Sequence, residues 1–125
     1  MRTLMYHDIA TREQRESVGF AGALAARYKL APSAFEAHLD ALAATGLEVR
    51  TLDGGGAPPP VAVTFDDGGA SAPLAAEALE RRGWRGQFFV TSSRIGTPGF
   101  LAGEQLRELD RRGHLIGSHS HSHPT

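Results

Sequence analysis

Three times in this chain a stretch with apolar residues at helical spacing runs up to a glycine, and an apolar run follows. The glycines are Gly46, Gly83 and Gly113. A helix that stops on glycine and hands over to a strand is the punctuation of alternating β/α architecture, in which crossover helices join parallel strands. The first helix starts at Pro32-Ser33-Ala34-Phe35-Glu36, where Ser33 is placed to cap and Glu36, three residues on, to reach back in a capping box. Phe35, Leu39 and Leu42 form its apolar face. The second takes Pro73 into its first turn and sets Leu74 and Leu79 on one face. The third covers 104–112 and carries Leu106 and Leu109. Strands are predicted over 4–9, 47–52, 61–65, 87–91 and 114–118. Residues 11–27 read as loop with short helix, and 92–99 as loop. The run 53–60, glycines then three prolines, can continue neither helix nor strand. Trp84, Phe88 and Phe89 read as core.

Composition narrows the classes. With 125 residues the chain is at most one modest domain, and its 41% apolar and 22% charged residues are ordinary for a globular one. A net charge of −1, with Lys29 the single lysine, gives no basic surface for nucleic acid or an anionic membrane. Cysteine is absent, which removes disulfides, thiolate metal sites and cysteine nucleophiles. No run approaches the ~20 apolar residues of a membrane span. The opening Met1-Arg2-Thr3-Leu4-Met5-Tyr6-His7-Asp8 is interrupted by polar groups too early for a signal peptide, so the chain as written is expected to be unexported and cytoplasmic.

The chemistry lies where two predicted strands end. The strand at Val61 runs into Asp66-Asp67-Gly68-Gly69, and the last strand runs into His119-Ser120-His121-Ser122-His123-Pro124. In parallel α/β folds the carboxyl edge of the sheet is where sites are built. Adjacent aspartates point to opposite sides of a continuing strand, but a turn at the glycines lets both face one cleft. Asp-Asp-Gly-Gly equally suits a tight turn with no chemistry. If the chain coils after Ser118, His119 and His123 lie close together and His121 points elsewhere. If it stays extended, all three histidines share a face. Either arrangement offers ligands to a hard or borderline cation, with a carboxylate to spare for proton transfer. His7 either borders the same cleft or is packed away. His38 and His114 read as structural, and Ser71 as a helix cap.

Thr64-Phe65-Asp66-Asp67-Gly68 and His119-Ser120 through His123-Pro124 closely resemble the first two motifs of the polysaccharide deacetylase family (NodB homology, carbohydrate esterase family four). Leu4-Met5-Tyr6-His7, Phe88-Phe89-Val90 and Gly113-His114-Leu115-Ile116-Gly117 also look like family segments. The resemblance implies an α/β fold, a distorted (β/α) barrel, and a divalent metal ion, usually Zn2+. It implies Asp67, His119 and His123 as metal ligands and Asp66 as catalytic base, while His121 falls at a variable position. The implied reaction removes N-acetyl, or sometimes O-acetyl, groups from a carbohydrate polymer. Family members continue past the second motif with an arginine that orients the base and a histidine general acid. The expectation is therefore a partial barrel, truncated after the second metal motif, with impaired activity and an exposed strand edge prone to self-association. A metal-dependent amidase acting on a non-carbohydrate amide, and a non-catalytic metal-binding or association fragment, are the competing readings.

Overall fold

The computed structural model describes residues 1–52 and 56–124. Four parallel strands form the main sheet in the order β1 (Arg2–Tyr6), β4 (Val61–Asp67), β5 (Gln87–Val90), β6 (Leu115–Ser118). Two short strands, β2 (Asp8–Ile9) and β3 (Lys29–Leu30), pair in parallel as a second sheet. The helices are α1 (Ala23–Ala26), α2 (Pro32–Ala44), α3 (Ala72–Glu80) and α4 (Gly103–Arg111). None of the described helices is long and apolar enough to cross a membrane. Because every strand of the main sheet is parallel, all four carboxyl ends lie along one edge. That edge carries Asp66 and Asp67 from β4 and leads directly into His119 after β6.

The central strand explains itself. Val61, Ala62, Val63, Thr64 and Phe65 are all buried, as a parallel strand covered on both faces requires. Phe35, Leu39 and Leu42 of α2 and Leu79 of α3 are buried in the same core. Phe65 stacks on Phe88 at 4.7 Å, and Tyr6 meets Phe35 edge-on at 5.1 Å. Each fully buried Leu or Phe stabilises by about 1.5–3 kcal/mol, so this cluster anchors the platform beneath the site. Gly46, Gly83 and Gly113 all have positive φ (71°, 77° and 94°), the left-handed step that ends a helix.

A polar cluster ties the layers together. Glu80, at the end of α3, takes two hydrogen bonds of 2.8 Å from Arg112 and one of 2.7 Å involving His114 Nε2. The backbone N–H of Gly86 donates to His114 Nδ1 at 3.1 Å. That acceptor role fixes the neutral tautomer, with Nε2–H donating to Glu80. Burial above all lowers the His114 pKa, against the opposing pull of Glu80. Burial raises the Glu80 pKa, but the His114 and Arg112 hydrogen bonds and charges outweigh it and leave the carboxyl below its ordinary range.

Several local expectations are corrected. The first strand breaks at His7 into β1 and β2. Residues 47–52 do not form a strand: only Val49 bridges, to Val61, because β5 takes that flank of β4 higher up and Gln87 Oε1 accepts the Leu52 N–H at 2.7 Å. The capping box at Ser33 does not form. The N-cap is Ala31, and Glu36 instead pairs with Arg81 and Arg82, just after α3, both at 2.6 Å. Leu74 is 49% exposed while Leu79 is buried, so they do not share the apolar face of α3. Phe88 is core; Trp84 is only partly buried against it. The loop expected over 53–60 falls partly on Asp53, Gly54 and Gly55, which lie outside the described residues.

Candidate metal centre

β4 ends with a twist placed at Asp67 itself. Asp67 adopts φ 82° and Gly68 φ 79°. This rotation breaks the alternation of the strand, so Asp66 and Asp67 both line one cavity. Gly68 is required here on two counts: its positive φ, and the fact that a Cβ would lie 2.9 Å from the Val90 side chain. After β6, the His119 N–H still donates to the Val90 carbonyl at 2.7 Å, and the chain then turns away through Ser120 (φ 68°) and His123 (φ 55°). The Ser120 hydroxyl accepts the His123 N–H at 3.0 Å, closing the turn. Asp67, Ser120 and His123 are the non-glycine residues with positive φ among the described residues, and all three belong to this site. Strained backbone of this kind costs about 1–3 kcal/mol per residue and persists where surrounding structure holds it.

The turn folds the histidine segment back, so the coiled alternative is the one adopted. His119 Nε2 lies 3.3 Å and His123 Nε2 3.1 Å from Asp67 Oδ1. All three ligand atoms fall within 4.8 Å of one another. His121 is exposed and turned outward, its Nδ1 at 2.8 Å from the Ser92 hydroxyl. Asp67 Oδ1 is buried and has no hydrogen-bond partner: the imidazole nitrogens are close but not aligned to donate. A carboxylate oxygen buried without a donor is costly. Two nitrogens and an oxygen converging on a common point is what a cation would satisfy. Donor atoms bound at ~2.0–2.1 Å in tetrahedral geometry sit about 3.3 Å apart. The Asp67–His119 and Asp67–His123 separations match that spacing, so the donor set fits a zinc-like divalent ion.

Around this group lies a cleft of about 610 Å³ lined by Asp66, Asp67, His123, Asp8, Lys29, Phe20 and Arg94, with Met5, Leu24 and Tyr28 at its exposed rim. His7 also borders it and lies tilted against the Tyr28 ring at 4.9 Å. His38 does not; it hydrogen-bonds the Tyr6 hydroxyl at 3.1 Å. Ser71 is not a side-chain cap. Its hydroxyl donates to Asp8 Oδ1 at 2.6 Å and accepts the Ile9 N–H at 3.0 Å. Asp8 is buried between Gly19 and Gly69, either of which would drive a Cβ into its carboxylate. Burial raises the Asp8 pKa and the Asp67 charge adds to it, while the Ser71 hydrogen bond and the Lys29 charge oppose.

Asp8, Lys29 and Phe20 are cleft residues that the sequence reading did not single out. The signal was present: a carboxylate inside the apolar run Tyr6 to Ile9, and a lone lysine between Tyr28 and Leu30.

A family profile described as polysaccharide deacetylase matches residues 53–125, which include Asp66, Asp67, His119 and His123. This chain belongs to the polysaccharide deacetylase family. Over 67 residues, 51% of the chain, it is 43% identical to the peptidoglycan-N-acetylglucosamine deacetylase PgdA of Listeria monocytogenes, a stretch that is 13% of that protein. Its fold matches a polysaccharide deacetylase from Bacillus cereus with a TM-score of 0.80 at 22% identity, covering 98% of this chain and 40% of that one. It matches IcaB from Ammonifex degensii with a TM-score of 0.73 at 26% identity, covering 95% and 52%. A Streptococcus pyogenes deacetylase, PplD, in complex with acetate gives a TM-score of 0.74 at 21% identity, covering 99% and 57%. The chain thus has the α/β, parallel-sheet fold of polysaccharide deacetylases and spans about half the length of these solved relatives.

Proposed function

We propose that this chain carries the cation-binding and proton-abstracting part of a hydrolase that removes acetyl groups, N-linked or O-linked, from a carbohydrate polymer. The observation that carries this reading is Asp67 Oδ1: buried, unpartnered, and faced by two imidazole nitrogens beside a second carboxylate at the strand ends. Asp67, His119 and His123 would hold the divalent ion, Zn2+ by the chemistry of the donor set, and three protein ligands leave positions open for other molecules. Such an ion, when bound, polarises an acetyl carbonyl and makes a water molecule more acidic.

The remaining steps belong to the chain. Asp66 sits one residue before the ligand carboxylate and opens onto the same cleft. As an ionised carboxylate it is suited to take the proton from water as the oxygen attacks the acetyl carbon. Breaking the C–N bond, with the proton taken by Asp66 passed on to the departing nitrogen, then frees acetate and the sugar amine. The cleft volume falls within the ~300–1,000 Å³ of small-ligand sites, room enough for an acetylated sugar unit. Its composition suits such a unit: a charged floor and walls built from Phe20, Leu24 and Tyr28. The Listeria relative named for peptidoglycan N-acetylglucosamine supports an N-acetylated sugar polymer as the substrate class.

The test is acetate release from N-acetylglucosamine oligomers by the Zn2+-supplemented chain and its Asp66→Asn variant. Asp66→Asn is expected to lose about 10²–10⁴-fold in rate while binding Zn2+ as the wild type does. Undiminished turnover by Asp66→Asn overturns the base assignment. Release from simple acetamides but not from the oligomers overturns the substrate class.

A further inference from the structure

Lys29 is the only lysine of the chain, and it is buried at 6% exposure inside the cleft wall. An ammonium removed from water needs a partner for each of its three N–H bonds. Lys29 Nζ finds them in one place: the backbone carbonyls of Arg15, Val18 and Phe20, the last two at 2.6 Å. Its strand neighbour Asp8 supplies the nearby negative charge. The three carbonyls belong to a single loop, which is also held by the Gly19 N–H donating to the Gly99 carbonyl at 2.7 Å, the Ser17 N–H to the Gln14 carbonyl at 2.9 Å and the Gly22 N–H to the Glu16 carboxylate at 3.1 Å. The loop has no regular structure from Arg15 to Gly22. Three of its carbonyls converge on the ammonium it wraps.

The last residue of that clamp is Phe20, whose ring lies 4.5 Å from the His123 ring at an interplanar angle of 34°. Phe20 also meets Phe100 edge-on at 4.9 Å and lies under the Arg94 guanidinium at 5.2 Å. His123 stands at positive φ at the end of a turn held by the Ser120 hydroxyl and by the Ser92 and Ser93 N–H groups donating to the Ser120 and His121 carbonyls, and none of these bonds touches its imidazole. The Phe20 ring packs against the ring whose Nε2 stands 3.1 Å from Asp67 Oδ1.

We propose that Lys29 is a positioning residue: by clamping the Arg15, Val18 and Phe20 carbonyls it seats Phe20 against His123, and so sets the affinity of the centre for a divalent cation. This rests on the reading of His123 as a ligand. Support of a ligand from outside the coordination sphere is typically worth about 10–100-fold in metal affinity.

The experiment is competition titration of the full chain with Zn2+ and a chelator of known affinity. The set comprises the wild type, Lys29→Met, Phe20→Ala, Phe20→Tyr and the Lys29→Met/Phe20→Ala double variant, each checked for native circular dichroism. Lys29→Met and Phe20→Ala are each expected to weaken Zn2+ binding by about 10-fold. The double variant should be no weaker than the worse single one, because both act through one contact. Phe20→Tyr, which keeps the ring stack, should bind within twofold of wild type. If Lys29→Met does not fold, the Phe20→Ala and Phe20→Tyr pair still decides the contact with His123. In that event amine acylation decides the clamp: native Lys29 should react at least 10-fold more slowly than in the urea-unfolded chain, and equal reactivity overturns it. Zn2+ binding by the wild type with Phe20→Ala unchanged overturns the inference alone. Absence of Zn2+ binding by the wild type overturns the metal reading with it.

Discussion

Asp67→Asn should make the metal-free protein more stable, not less. The Asp67 side chain is 11% exposed, and its Oδ1 has no hydrogen-bond donor. Leaving a buried polar group unsatisfied costs about 1–3 kcal/mol, and more when it is charged. Asparagine keeps the shape, removes the charge and is among the few residues that tolerate the left-handed φ of 82° at this position. The gain expected in metal-free buffer is therefore about 1–3 kcal/mol. For a domain of this size each kcal/mol moves Tm by roughly 4 °C, so the variant should melt about 4–12 °C higher. Zinc changes the comparison. At 100 times Kd, a ligand that binds only the native state adds about 2.7 kcal/mol, which lifts the wild type by roughly 10 °C and leaves Asp67→Asn nearly unmoved. The assay is thermal unfolding at pH 8, with chelator and then with Zn2+. A metal-free Asp67→Asn that melts below the wild type would refute the reasoning: Asp67 would then be a satisfied structural partner of the two histidines.

Two further outcomes concern the frame of the site. The folded-state pKa of His114 is depressed, first by burial, so its stability contribution is complete above the ordinary histidine value of 6.5 and declines as pH falls below it, when the unfolded chain takes the proton first. Urea unfolding at pH 7.5 and 5.5 should show this decline in the wild type and a shallower one in His114→Gln, whose amide can accept from Gly86 and donate to Glu80; parallel declines would contradict the neutral tautomer. Gly69→Ala places a Cβ 2.0 Å from Asp8 Oδ1 and should cost about 1–3 kcal/mol in urea unfolding as the cleft wall shifts, whereas a neutral substitution would show that Asp8 is free to move.

What the sequence disclosed depended on how local the determining contacts are. The helices α2, α3 and α4 were legible because each closes on a glycine in the left-handed region, and β4, β5 and β6 because each is a run rich in apolar residues. Asp67, His119 and His123 were legible as a group only through motif resemblance, since pattern alone left the histidine segment open between a coiled and an extended form. The turn at Ser120 decides it, and a serine at φ 68° is not readable from neighbours. Three of the corrections share one cause: a side chain with an obvious local role was taken by a distant partner. Glu36 left its capping box for Arg81 and Arg82, Ser71 left its cap for Asp8, and Gln87 claimed the backbone that residues 47–52 needed to extend as a strand. Lys29 is the same case seen from the other side, because its three acceptors become neighbours only when the 15–20 loop closes.

The central claim is that one divalent ion sits among Asp67, His119 and His123. Zn2+ titration against a competing chelator, run on the wild type and on His119→Ala, His123→Ala and His121→Ala, tests it most directly. One ion per wild-type chain is expected, with affinity lower by at least about 100-fold in His119→Ala and His123→Ala, since each removes a ligand, and with wild-type affinity in His121→Ala, since the His121 ring faces Ser92. Equal affinity across all four proteins, or loss confined to His121→Ala, would contradict it.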